Sequence, residues 1–328
     1  MHAATPSNAA HAAASLRDAF TGTTAPDVLD RGSFVDVAGE HNPAWMAYWF
    51  SRDRLQAWLS DPRVAEIWAG HPTHSNVGYW RETAIIPRER LEALYTHPPE
   101  FTAMAGLSEA FDRQPTVYHE YWGAARDRIP DSRHDPLQPE HREYVAGRWP
   151  TRGQRLRVHV PGNVCLIRTA QDWSRAERFK DMYLRDVAPV KDAGVEYLAR
   201  NPDTGCVTAR NIREEDHDGR TLDRACTVAW FLSLTHLEQW AKSHRTHLAI
   251  FDRFLEMVGE HADTPLDLAL WHEVSVPPPG EVRGEYVNCH SDCGWLRLGA
   301  AAMLYASRSN SRRRSHCAGT GRWRSPPC

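Results

Sequence analysis

The chain has no long hydrophobic run, no excess of one charge, and no cysteine framework, and each absence removes a class of function. No apolar stretch approaches the roughly 18 residues needed to cross a bilayer. The alanine-rich start at 9–14 lacks a basic segment leading into a Leu-rich core, so it is not a secretory signal and a cytoplasmic location is expected. A net charge of −3, with 39 basic and 42 acidic side chains interspersed, leaves no nucleic-acid footprint. Seven cysteines at 165, 206, 226, 289, 293, 317 and 328 are odd in number, without disulfide-scaffold spacing, and read as reduced thiols. Cys289 and Cys293, with His290, have one such gap and no second pair, short of a zinc signature.

What is present is an internal repeat. Segment 47–58 matches 228–240, pairing Trp49 with Trp230, Leu55 with Leu237 and Trp58 with Trp240. Carried forward, Ala65 falls on His247, Trp80 on Trp271, Arg81 on His272 and Glu82 on Glu273. The chain therefore reads as two copies of one supersecondary unit, and only the second has histidine at both positions. Core packing alone does not require that asymmetry. A lone His on an apolar face is most often a hydrogen-bonded core residue. A pair at these positions instead suggests two imidazoles facing each other across a cavity.

Periodicity places both. Leu237, Trp240, His244, His247, Phe251 and Phe254 recur three or four apart, which puts His247 on the buried face of a helix. By analogy with Ser60-Asp61-Pro62 in the first copy, the helix restarts around 243–246, so His247 lies in its first turn or two. His272 lies in an apolar, β-branched run at 268–276, bounded by Pro277–Pro279, which reads as a strand. Glu273 alternates to its other face.

Taken in order, 1–15 reads as disordered. Strands are expected at 33–37, 44–50 and 77–86, with a helix capped by Asp53 and a short helix or turn over 88–95 carrying Glu92. Segment 98–158 reads as a connection rich in Pro, His, Arg and Tyr, and contains Arg128. The second copy, 159–297, shows strands at 163–168, 206–212 and 225–232, a helix over 172–198 interrupted near Pro189, and a capping box from Thr235 to Glu238. The order β-α-β-β-α-β is that of a ferredoxin-like unit, so the fold class is α+β with two such repeats, the first spanning 16–97. The tail from 298 to 328 carries six arginines and no acid from 301 onward, and reads as a basic, disordered extension.

Ser243-His-Arg-Thr-His-Leu248, Leu270-Trp-His-Glu-Val-Ser-Val276 and Glu285-Tyr-Val-Asn-Cys-His290 together resemble the haem-containing aldoxime dehydratases. The likeness continues through Tyr121-Trp-Gly-Ala-Ala-Arg-Asp-Arg-Ile-Pro130 and Leu166-Ile-Arg-Thr-Ala-Gln-Asp-Trp173, and covers about 30–297. It implies haem b bound at the second repeat and active when ferrous, a homodimer, and dehydration of an aldoxime to a nitrile. No Cys-x-x-Cys-His motif occurs, so the haem is expected to be non-covalent. The resemblance assigns His247 as the proximal iron ligand, with His244 as its non-ligating neighbour, and His272 as the distal acid and base. Thr169 stands where the family has a serine that binds the oxime hydroxyl, keeping the hydroxyl and adding a methyl. Arg128 and Glu92 match distal charged residues that orient this set. The resemblance also implies that the first copy lacks its opening strand. Two other readings share these residues: a haem-binding protein without dehydratase activity, and a peroxidase-like haem enzyme of related fold.

Overall fold

A computed structural model describes residues 1–96, 121–140, 149–299 and 303–306. Alternation builds the strands: in β6 (Arg155–His159) Leu156 and Val158 are buried between exposed Arg157 and His159, and in β8 (Cys206–Glu215) Thr208, Arg210, Ile212 and Glu214 are buried while Ala209, Asn211 and Arg213 are more exposed. Among the described residues, twelve strands form one sheet in the order β12-β6-β11-β4-β1-β3-β2-β8-β9-β7-β10-β5. The strands are β1 (His2–Ala3), β2 (Val28–Val35), β3 (His41–Tyr48), β4 (Val77–Ala84), β5 (Leu91–Tyr95), β6 (Arg155–His159), β7 (Cys165–Asp172), β8, β9 (Thr221–Phe231), β10 (Ala269–Ser275), β11 (Val282–Val287) and β12 (Met303–Ala306).

The sheet contains two groups of four with matching connectivity, β4-β1-β3-β2 and β10-β7-β9-β8, and in each the strands lie in the chain-order sequence 4-1-3-2. They join along β2 and β8 through Arg31↔Glu215, Gly32↔Glu214 and Ser33↔Arg213. The strand that follows each group then pairs with the other: β5 leaves the first and adds to β10, while β11 leaves the second and adds to β4.

The second group is covered on one face by α6 (Ala188–Arg200), α7 (Leu234–Ser243) and α8 (Arg245–Gly259), with α4 (Tyr121–Arg128) against α7. Ile167, Ala229, Val274, Leu237, Trp240 and Ala241 form the apolar cluster between the layers. The other face carries buried charge: Arg168 bonds Asp30 of β2 at 2.6 Å and Glu214 of β8 at 2.7 Å. Each ion therefore meets its counterion inside, which is what permits charges at this depth.

Several expectations are corrected. Residues 1–15 are not irregular: β1 is followed by α1 (Pro6–Arg17), whose cap Thr5 accepts from the Asn8 amide at 3.3 Å and whose Ala9, Ala12 and Ala13 are buried. A face made only of alanine carries too little hydrophobic contrast to reveal a helix period. The opening strand of the first group is present as the two-residue β1, between β3 and β4. Glu92 lies on a strand, β5, because its backbone has an edge to pair with in β10. The helix over 52–60, α2, is capped by Ser51 rather than Asp53, and α7 by Ser233 rather than Thr235; each serine accepts an amide at 3.3 Å.

The helix expected from 172 starts later. β7 continues to Asp172, and α5 (Phe179–Met182) opens where Asp267, distant in sequence, accepts the amides of Glu177, Arg178 and Phe179. Its interruption is a π turn over Tyr183–Val187, just ahead of Pro189, which has no N–H to close an ordinary turn. Within the expected connection, 97–120 and 141–148 lie outside the described residues, but α4 and β6 are regular. Of the basic tail, 303–306 is strand β12 and 307–328 lies outside the described residues.

Candidate active site

Strand register brings the site together. His272 on β10 stands opposite Thr169 on β7 on one side and Leu94 on β5 on the other, and Val274 stands opposite Glu92. Directly paired residues share a face, so Thr169, His272 and Glu92 all project toward the helical layer, with Glu92 in the diagonal position that a long side chain spans. Arg168 and Glu273, also paired, project to the opposite face. The expectation that Glu273 points away from His272 follows from this geometry.

Glu92 is the hub. Its Oε1 lies 3.1 Å from His272 Nε2, and Arg128, the last residue of α4, donates through Nε to Oε2 at 2.8 Å and through Nη2 to Oε1 at 3.2 Å. Arg128 Nη2 also approaches His272 Nε2 at 3.3 Å. Because an ionised carboxylate can only accept, the Glu92 contact requires Nε2–H of His272 to donate, and the Arg128 nitrogen beside it is then a close neighbour of Nε2 rather than its donor. Glu92 and His272 are buried. Burial pushes the Glu92 carboxyl up, but the His272 and Arg128 charges and hydrogen bonds outweigh it and hold the group below its usual range. An ionised carboxylate is thus kept inside the protein.

His247 approaches from the helical layer. It is the third residue of α8, whose cap is His244: the cap's Nδ1 accepts the Thr246 amide at 3.3 Å, and its ring lies on Tyr197. His244 is thereby occupied in starting the helix, while His247 turns inward, edge-on to Trp240 at 4.7 Å between ring centroids. The restart expected at 243–246 is where α8 begins. Burial lowers the His247 pKa to about 4, partly opposed by a hydrogen bond to the Ala241 backbone. The ring is therefore neutral at ordinary pH, the form in which an imidazole ligates a metal. Beside it, Leu248, Ile250, Phe251 and Phe254 are only half-buried. A buried neutral imidazole beside a partly open apolar stripe fits a flat, apolar macrocycle held through its metal.

A cavity of about 290 Å³ opens elsewhere, in the first group, walled by Trp45, Trp58, Trp68, Trp80 and Arg81. The repeat pairs Trp80 and Arg81 with Trp271 and His272. No histidine lines this cavity, and Arg81 is bound to Glu285. The two halves thus keep the same frame but differ in the residues that carry chemistry.

A hydrogen-bonded set of titratable groups on the sheet and a buried, neutral imidazole on the helices are the parts expected of an enzyme that binds a cofactor on one side of its substrate and keeps a proton donor on the other. The sequence profile of the haem-containing dehydratases matches residues 1–295, and the chain belongs to that family. It is 35% identical over 294 residues to the phenylacetaldoxime dehydratase of Bacillus sp. (strain OxB-1), covering 86% of this chain and 81% of that protein. It is 32% identical over 288 residues to the aliphatic aldoxime dehydratase of Rhodococcus globerulus, covering 86% and 80%. The fold matches the crystal structure of an aldoxime dehydratase in complex with butyraldoxime with a TM-score of 0.81 at 29% identity, over 90% of this chain and 83% of that one.

Proposed function

We propose that this chain dehydrates aldoximes to nitriles, R–CH=N–OH giving R–C≡N and water, with haem b held non-covalently between α8 and the β7–β10 face. The observation that carries the reading is the Glu92–Arg128–His272 set on the same face as Thr169, in a chain whose relatives are aldoxime dehydratases. His247 is the residue that would hold the iron: it is buried, neutral and fixed at the start of a helix. When bound and ferrous, the haem would supply an electron-rich metal whose electrons weaken the N–O bond of the oxime.

The residues present account for the protons. Hydroxide leaves poorly, so the departing oxygen must be protonated, and His272, doubly protonated beside the Glu92 carboxylate, would give up one proton and become neutral. The neutral ring then takes up the proton from the oxime carbon, which returns His272 to its starting state. Glu92 fixes the ring by accepting from Nε2, and Arg128 fixes Glu92 with two N–H donors in fork geometry. The Thr169 hydroxyl, at the strand position opposite His272, would bond the oxime hydroxyl before it leaves.

The two four-stranded groups, each ordered 4-1-3-2, support reading the fold as two ferredoxin-like repeats. The reading includes a cytoplasmic homodimer; free cysteines at 165, 206, 226, 289 and 293 are consistent with a reducing compartment.

The test is nitrile formation by the haem-loaded, reduced protein without oxygen, given one aliphatic and one aryl aldoxime. Nitrile well above a free-haem control is expected, abolished in His272→Ala while the haem spectrum is kept. A haem spectrum that depends on His247 with no nitrile from the wild type would leave a haem protein without this chemistry.

A further inference from the structure

Far from His272 in the sheet order, the two-residue strand β1 brings His2 beside Cys289 and Cys293. One ring nitrogen of His2 and both sulfur atoms lie within 4.8 Å of one another, and all three residues are buried. The sequence alone showed only the Cys289/Cys293 pair, because His2 is some 290 positions away along the chain. We propose that Cys289, Cys293 and His2 bind a zinc-class divalent ion that is separate from the haem and anchors β1 to the segment after β11.

The arrangement around the ring is that of a metal-ligating histidine. Nδ1 of His2 is hydrogen-bonded to Glu40, Nε2 is buried and makes no well-formed hydrogen bond among the described residues, and the ring's other polar neighbour is the Cys293 thiol. A carboxylate on one imidazole nitrogen fixes the tautomer and directs the other nitrogen at a metal. Gly78 is what admits the ring: a Cβ there would fall 2.3 Å from Nε2. A second pair of this kind adjoins the first, since His290 Nε2 lies 3.1 Å from Asp36 Oδ2 and its ring lies 4.6 Å from that of His2. His2, Asp36 and His290 form a further grouping within the same 4.8 Å limit.

Charge and softness select the ion. Two thiolates and a neutral imidazole suit zinc, and thiolates discriminate against magnesium and calcium. Binding replaces two S–H protons, which leave to solvent, so the ion and the two thiolates are together neutral at a depth where an unpaired charge is costly.

The experiment uses the full haem-loaded chain, equilibrated with micromolar zinc chloride under reducing conditions and freed of excess. Metal content by mass spectrometry should approach ~1 zinc per chain, with zinc-edge X-ray absorption showing two sulfur neighbours near ~2.3 Å and nitrogen near ~2.0 Å. Cys289→Ser, Cys293→Ser and His2→Gln should each lower zinc content at least about tenfold with the haem spectrum intact, and Glu40→Gln should weaken affinity about 10- to 100-fold. Since Glu40→Gln preserves both thiols and the ring, it keeps the test valid if a cysteine variant does not fold. Zinc below ~0.1 per chain in the wild type, retention in the double Cys→Ser variant, or a Cys289–Cys293 disulfide in the reduced preparation would each overturn the proposal.

Discussion

In the haem-free protein, His247 should impose a pH dependence on stability that His247→Gln removes. The folded ring has a pKa of about 4 because it is buried, against 6.5 for an exposed histidine. Between these values the unfolded chain binds a proton that the folded chain does not. Stability therefore falls as pH drops through the window from about 6.5 to about 4, and this group has no effect above it. The full shift corresponds to about 3 kcal/mol, and at pH ~5 about 2 kcal/mol of it is already expressed. Glutamine keeps a polar side chain of similar length but cannot titrate. Denaturant unfolding of both haem-free proteins at pH ~7.5 and ~5 isolates the effect, because carboxylates common to both cancel in the double difference. Wild type should lose about 2 kcal/mol more than His247→Gln on acidification. Equal losses would show that His247 is hydrated in solution, which would refute its burial and with it the argument that the ring is kept neutral for ligation.

Arg128→Leu should destabilise the chain by about 3 kcal/mol in thermal or denaturant unfolding, because it leaves the Glu92 carboxylate buried beside a single partner; Arg128→Leu with Glu92→Gln should recover much of that loss. Gly294→Ala should destabilise by roughly 2–4 kcal/mol, read as a lowered Tm. Gly294 has φ +52°, and an added Cβ would fall 2.2 Å from Glu82 Oε1 and 2.5 Å from the Tyr286 hydroxyl, inside a bonded cluster with Arg210.

Sequence pattern revealed the second half better than the first. His247 and His272 could be placed because α8 has a strong apolar stripe and β10 is a bounded β-branched run, so helix and strand periods pointed each side chain inward. The repeat showed which residues had no counterpart. Glu92 was assigned to a helix or turn because Leu91–Tyr95 has no strand signature of its own; it is a strand only because β10 offers an edge. The Ser51 and Ser233 caps were displaced by two residues since several Ser, Thr and Asp side chains there could accept an amide, and only the folded backbone selects one. The capping of α5 by Asp267 and the approach of His2 to Cys289 are contacts between distant parts of the chain, which no local pattern encodes.

The exchange of β5 and β11 makes the proposed active centre a joint product of both halves. Glu92 is encoded in the first half, whereas Arg128, Thr169, His247 and His272 come later, so the first half contributes the partner of His272 to a proposed site it does not itself contain. Neither half separated from the other holds the full set, and each would expose the edge at which the other's strand belongs. Co-expressed fragments divided between the halves would have to reassemble before any proton could be moved, which makes activity a direct report of assembly. The same linkage ties the halves together: the cavity at Trp80 and Arg81 in the first half has no histidine, yet that half cannot vary freely while it supplies the carboxylate that holds His272.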